Sequence, residues 1–123
     1  FYPITLLMTV DTVNTVKNGR LFITITDDNG DPNQGSNEIT VTAKVNTTLV
    51  WKAVSTNGTD TVHLKQFIRE SSTNLFPANE PSIQPDGTFK GTLDKPGFET
   101  YSFAITINNG SRVYRWDPYI RAI

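Results

Sequence analysis

The sequence predicts an all-β fold, a single-domain antiparallel two-sheet sandwich of about seven to eight strands over residues 1–123. Three observations carry that expectation. Apolar residues alternate with polar ones along most of the chain, the period-two pattern of strands that bury one face. Dipeptides that tolerate positive φ recur between these runs, at Asn18-Gly19, Asn29-Gly30, Asn57-Gly58, Asp86-Gly87 and Asn109-Gly110. No segment holds the i, i+3, i+4, i+7 apolar stripe of an amphipathic helix over about three turns.

Taken in order, Ile4, Leu6, Met8 and Val10 form the first alternating set, and Leu21, Ile23 and Ile25 the second. Ile39, Val41, Ala43 and Val45 make the third, opposite Thr40, Thr42 and Lys44. Leu49, Trp51 and Ala53 follow, with Trp51 set among inward-facing residues as a core side chain, and then Val62 and Leu64. From Ser71 to Gly97 the prolines at 77, 81, 85 and 96 deny the chain a continuous ladder of N–H donors. That stretch reads as a Pro-rich surface loop at about 71–97 with one short strand around Thr88–Leu93. Tyr101, Phe103, Ile105 and Ile107 are the clearest strand set, and Asn109-Gly110 joins them to Val113-Tyr114 as a hairpin.

Composition narrows the function. Eleven basic and twelve acidic residues leave a formal charge of −1, too little field to attract a phosphate backbone, so nucleic acid is not an expected partner. The absence of cysteine excludes disulfide frameworks, thiolate metal sites and cysteine nucleophiles. No stretch reaches the roughly 20 apolar residues of a membrane-spanning helix. The chain opens on Phe1 rather than Met, which leaves both a processed leader and an omitted start open.

Several constellations bear on chemistry. In DDNGDPNQGSNE, residues 27–38, Asp27, Asn29, Asp31 and Glu38 fall at positions one, three, five and twelve of a calcium-binding loop. Pro32 stands where that loop turns on glycine, and both flanks read as strands, so a solvated loop is the plainer reading and no cofactor is expected beyond that calcium alternative. His63 is the only histidine and points outward with Thr61 and Lys65, and no nucleophile and base share a recognisable frame. An enzyme is therefore not expected. Three Asn-x-Ser/Thr sequons, at Asn46, Asn57 and Asn109, follow from a composition rich in Asn and Thr.

The chain closes on RWDPYIRAI. Tyr114, Trp116, Asp117 and Tyr119 offer the aromatic faces and the carboxylate of a carbohydrate site, or else the anchor that keeps a last strand from fraying, which the reading favours. Outward strand faces are rich in Thr and poor in Lys, and the Pro-free run RLFITIT, residues 20–26, lacks the charges and prolines that guard strand edges within the strand itself.

The ordered set TLLMTVDT at 5–12, TLVWKAVS at 48–55, TDTVHLKQF at 59–67 and WDPYI at 116–120 resembles the AidA/PixA family of bacterial inclusion-body proteins. This chain is shorter than the family usually is, is compressed between Asp11 and Arg20, and has Asn46-Thr47-Thr48 where Gly-Asp often precedes the Trp strand. The resemblance implies a non-enzymatic bacterial sandwich that accumulates or assembles, in cytoplasmic inclusions or, alternatively, outside the cell or at its surface. The expected partner is the chain itself, as a homo-oligomer or filament, with the strand carrying Ile4, Leu6, Met8 and Val10 exchanged between copies. A lectin-like module binding glycans is the alternative.

Overall fold

The computed structural model describes residues 3–20, 22–28, 35, 40–69, 75–77, 81–108, 112–116 and 119–123. Along the chain these form β1 (Ile4–Val10), α1 (Thr12–Asn18), β2 (Ile23–Asp27), β3 (Thr40–Ala43), β4 (Thr48–Ser55) and β5 (Val62–Arg69). Then come β6 (Ser82–Ile83), β7 (Phe89–Thr92), β8 (Gly97–Ile107), β9 (Tyr114–Trp116) and β10 (Tyr119–Ala122). One sheet runs β2-β1-β4-β7-β6 and the other β3-β10-β8-β5, with β9 also on β8. The all-β, two-sheet expectation holds, and the pairing is mixed rather than purely antiparallel.

Two pairs are parallel. β1 lies parallel to β4, from Ile4 opposite Leu49 to Val10 opposite Ser55, and β10 lies parallel to β3, from Tyr119 opposite Thr40 to Ala122 opposite Ala43. Alternation along one strand says which face is buried but nothing about a neighbour's direction, so the sequence could not distinguish these pairs. β9 and β10 follow a single line along β8: Phe103 faces Trp116, Thr100 faces Tyr119, and the register is the same on both sides of Asp117-Pro118.

The alternating sets of the sequence become the core. Ile4, Leu6, Met8, Val10, Ile25, Val41, Leu49, Trp51, Leu64, Tyr101, Phe103, Ile105 and Ile120 are all buried. At its centre Trp51 on β4 donates its indole N–H to the Tyr101 hydroxyl on β8 at 3.0 Å, across the two sheets. The Trp51, Phe67, Phe76, Tyr101 and Phe103 rings lie 5.1 to 6.1 Å apart, mostly edge-on or tilted, the arrangements ring quadrupoles favour. Burial pushes the Tyr101 phenol above its ordinary range, opposed by the bond from Trp51, so it stays neutral.

Within the Pro-bearing segment the short strand is present as β7, and some of its apolar residues pack inward. Leu75, Phe76, Phe89 and Leu93 are buried. Leu75 N–H donates to the carboxylate of Glu99, itself fully buried on β8, at 3.0 Å, and Leu75 C=O accepts Asp94 N–H at 2.7 Å. Gly91 leaves room for this closure, since a Cβ there would stand 2.9 Å from the Phe76 ring and 3.0 Å from Pro81. The periodicity gave no hint of this inward turn because Leu75 and Phe76 stand outside any alternating run.

The helix is the other departure. Asp11 caps α1, its carboxylate accepting Asn14 N–H at 3.2 Å, and Gly19 ends it at φ 72°, donating to Thr15 C=O. Asn18-Gly19 is thus a helix terminus rather than a hairpin turn. α1 buries Thr12 and Thr15 and leaves Val13 and Val16 more than half exposed, so no apolar stripe announces it. Thr15 Oγ1 instead accepts Phe22 N–H at 3.0 Å.

Replacing Tyr101 with Phe keeps the ring and leaves the Trp51 N–H buried without its acceptor. Urea denaturation is expected to show a loss of about 1 to 3 kcal/mol, the cost of orphaning a buried donor.

Candidate functional site

The residues singled out by the sequence separate into three places. Ile4, Leu6, Met8 and Val10 lie on β1, a central strand bonded on one side to β2 and on the other to β4. Its backbone groups are thus used within one copy of the chain. The aromatic set divides. Tyr114 is buried, opposite Ile105 on β8, with the Arg112 guanidinium 5.5 Å over its ring, whereas Tyr119 is half-buried and stacks on Phe98 at 5.7 Å. Trp116 pairs through its backbone with Phe103, and Asp117 lies outside the described residues. Tyr114 and Tyr119 therefore do not share one exposed face.

Of the four calcium-spacing residues, Asn29, Asp31 and Glu38 lie outside the described residues. Asp27 ends β2, opposite Leu6, and the neighbouring Asp28 carboxylate accepts Thr5 N–H at 2.9 Å. Farther along, Gly35, at φ 81°, donates to Ile25 C=O at 2.7 Å. His63 faces Thr106 from β5, half-buried on the outer side of its sheet.

The strand edges can be read from the register. Asp11 N–H donates to Phe22 C=O at 2.9 Å, so residues 22, 24 and 26 direct their backbone groups at β1. By the same alternation Ile23, Ile25 and Asp27 direct theirs away from the sheet, along its outer edge. Gly35 occupies one of those carbonyls. On its side faces β2 buries Ile23 and Ile25, exposes Thr24 and Thr26, and ends on the half-buried Asp27. The other sheet ends in β5, which packs against β6 and thus lies on the side of the sandwich opposite β2.

One end of the sandwich is tied by a residue the sequence did not flag. Asp60 accepts Thr12 Oγ1 at 2.5 Å and Asn57 Nδ2 at 2.7 Å on one carboxylate oxygen, and Asn108 Nδ2 at 2.7 Å on the other. Asn57 Oδ1 accepts the N–H groups of Thr59 and Asp60, and Asn108 Oδ1 accepts Thr61 N–H. Asp60 thereby joins the start of α1, the loop between β4 and β5, and the end of β8. The Asn57-Gly58 turn signal marks this loop, but nothing local connects it to Thr12 or Asn108, which lie 48 residues away on either side. Asp60 is only half-buried, and its hydrogen bonds, that of Thr12 foremost, hold its carboxyl below the usual aspartate range. Among the described residues no cluster of His, Asp and Glu is arranged to hold a metal ion, and no helix is long and apolar enough to cross a membrane.

A family model described as "Domain of unknown function (DUF8788)" matches residues 2–114. The chain belongs to the DUF8788 family. Comparison with curated proteins returns no match. Among solved structures, this DUF8788 chain is similar to the crystal structure of the inclusion body protein PixA from Burkholderia cenocepacia J2315, with a TM-score of 0.76. The likeness covers 99% of this chain and 96% of that one at 12% identity. The DUF8788 chain therefore has an AidA/PixA-like fold, as the ordered sequence motifs imply, although little of its sequence is shared.

In the DUF8788 chain the Asp60 ties carry a pH dependence. A carboxyl lowered in the folded state stabilises it fully above the unfolded aspartate pKa of about 3.9, and that contribution is lost as pH falls through the lower folded value. Asp60→Asn is expected to lower the urea midpoint at pH 7, with the gap from the wild type narrowing at pH 3. An unchanged gap would mean that the charge of Asp60 is not what holds the three segments.

Proposed function

We propose that this DUF8788 chain is a non-enzymatic, self-associating β-sandwich protein that accumulates as bacterial inclusions. The observation that supports this reading most is the likeness in fold, over nearly the full length of both chains, to a protein described as an inclusion body protein. Self-association would extend the sheet beyond β2, its last strand. A strand edge is a template for a further strand, and Thr24 and Thr26 offer neither charge nor proline to turn one away.

β2 and β5 each end a sheet, on opposite sides of the sandwich, and a contact between these two different ends would be head-to-tail. Such a contact does not close on itself and propagates into filaments or lattices. Exchange of the N-terminal strand is the costlier route. It would withdraw β1 from seven paired positions on β4 and five on β2, and take Ile4, Leu6, Met8 and Val10 out of the core before any new pairing formed.

Electron microscopy and light scattering over a dilution series test both routes. Regular assemblies of the wild-type protein that persist on dilution are expected, together with a folded but dispersed Thr26→Lys variant, because an exposed lysine on an edge strand opposes pairing. A monodisperse wild-type protein would overturn the proposal, and unchanged assembly of Thr26→Lys would remove β2 from it. Deletion of residues 1–10 is expected to unfold the chain. Assemblies of normal shape from that deletion would exclude exchange of the N-terminal strand.

A further inference from the structure

Beside α1 the surface holds an open hollow of about 500 Å3, within the size range of small-molecule sites. Thr9, Asp11, Arg20, Phe22, Thr24 and Thr56 line it. It exists because β1 and β2 are joined through a capped helix rather than a tight turn. Asp11 caps the helix start and Arg20 follows its Gly19 terminus, so the detour returns an acid and a base to the same place beside the strand pair.

The two arginines near the end of α1 are used differently. Arg112 donates to Gly19 C=O at 2.9 Å and lies over the Tyr114 ring, so it closes the helix terminus. Arg20 stands over the half-buried Phe22 ring, 4.9 Å from its centroid, and its exposed guanidinium makes no hydrogen bond or ion pair among the described residues. A guanidinium held on an aromatic face keeps its planar fork of donors for another acceptor, and the acceptor that matches the fork is a carboxylate. Asp11, in the same hollow, does not pair with it. The Asp11 oxygens accept Asn14 N–H and Asn14 Nδ2, at 3.2 and 2.6 Å, and each retains acceptor capacity. The hydroxyls of Thr9, Thr24 and Thr56 can each donate or accept.

We propose that this hollow binds an acidic saccharide, a sugar acid of hexuronate size. Its carboxylate pairs with Arg20, and its hydroxyls are divided between Asp11 and the three threonines. The Asp11 carboxylate disfavours dense anions such as phosphate or sulfate, which bring charge without a hydroxyl donor for it. Neutral sugars leave the Arg20 fork unmatched. Tyr114 and Tyr119 do not line the site, and it requires no association of the chain.

Isothermal titration calorimetry with glucuronate, glucose and acetate tests the assignment on wild-type protein and on Arg20→Gln and Arg20→Lys, each shown to be folded by its thermal melt. Glucuronate is expected to bind at least about tenfold more tightly than either glucose or acetate, the discrimination that one charge-assisted pair supplies. Arg20→Gln is expected to reduce glucuronate to the level of glucose, with Arg20→Lys between them. Undiminished binding of glucuronate by Arg20→Gln would overturn the site. Acetate binding as tight as glucuronate would overturn the saccharide assignment, and the absence of any heat with glucuronate would overturn both. None of these results depends on whether the protein assembles.

Discussion

The hydrogen bond from the Trp51 indole to the Tyr101 hydroxyl is the constraint around which the molecule is arranged. β4, which carries Trp51, is the strand bonded to both β1 and β7, and β8, which carries Tyr101, is bonded to β5, β9 and β10. The bond therefore joins the two strands that organise the two sheets. Both of its groups are fully buried, so the indole N–H depends on Tyr101 for the acceptor that water would otherwise supply. The tilted and edge-on rings around it fill the space between the sheets with large, stiff side chains that define the spacing more sharply than aliphatic packing does.

Much else follows from that centre. Leu75 and Phe76 enter the aromatic cluster only because Gly91 lacks a side chain and because Glu99 accepts the Leu75 N–H inside the core. The terminal strand is held by β3 and β8 on either side, with Ile120 and Ala122 buried, so the end of the chain is packed rather than frayed. At the opposite extreme α1 buries threonines, shows its valines to solvent, and is held by Asp60, Arg112 and the Phe22 N–H. A segment fixed by polar ties rather than by an apolar face can vary without disturbing the core. The hollow at Arg20 lies beside that segment, and β2 follows it in the chain.

The chemistry of those features is peripheral for a physical reason. The core is closed by bulky aromatic and aliphatic residues, and its one fully buried carboxylate among the described residues, Glu99, is engaged with the backbone of residue 75. What the molecule offers to a partner is therefore backbone at its edges and side chains near its helix. In the functions proposed, the first meets a copy of the same chain and the second a small polar ligand.

Sequence alone determined the fold class, the buried face of almost every strand, the core role of Trp51 and the ordered motifs that resemble the AidA/PixA family. These are local properties, because period-two alternation and turn chemistry are written into neighbouring residues. Tertiary structure decided what depends on distant partners: the parallel pairs of β1 with β4 and of β10 with β3, the burial of Tyr114, the carboxylate of Glu99 in the core and the ties at Asp60. It also decided the helix, since TVNTVKN carries no apolar stripe and becomes helical where caps, a donor at Phe22 and an acceptor at Asp60 await it. Alternation reveals which side of a strand is apolar. It does not reveal which other residues a polar side chain will meet, and a hydrogen bond has no meaning until both partners are in place.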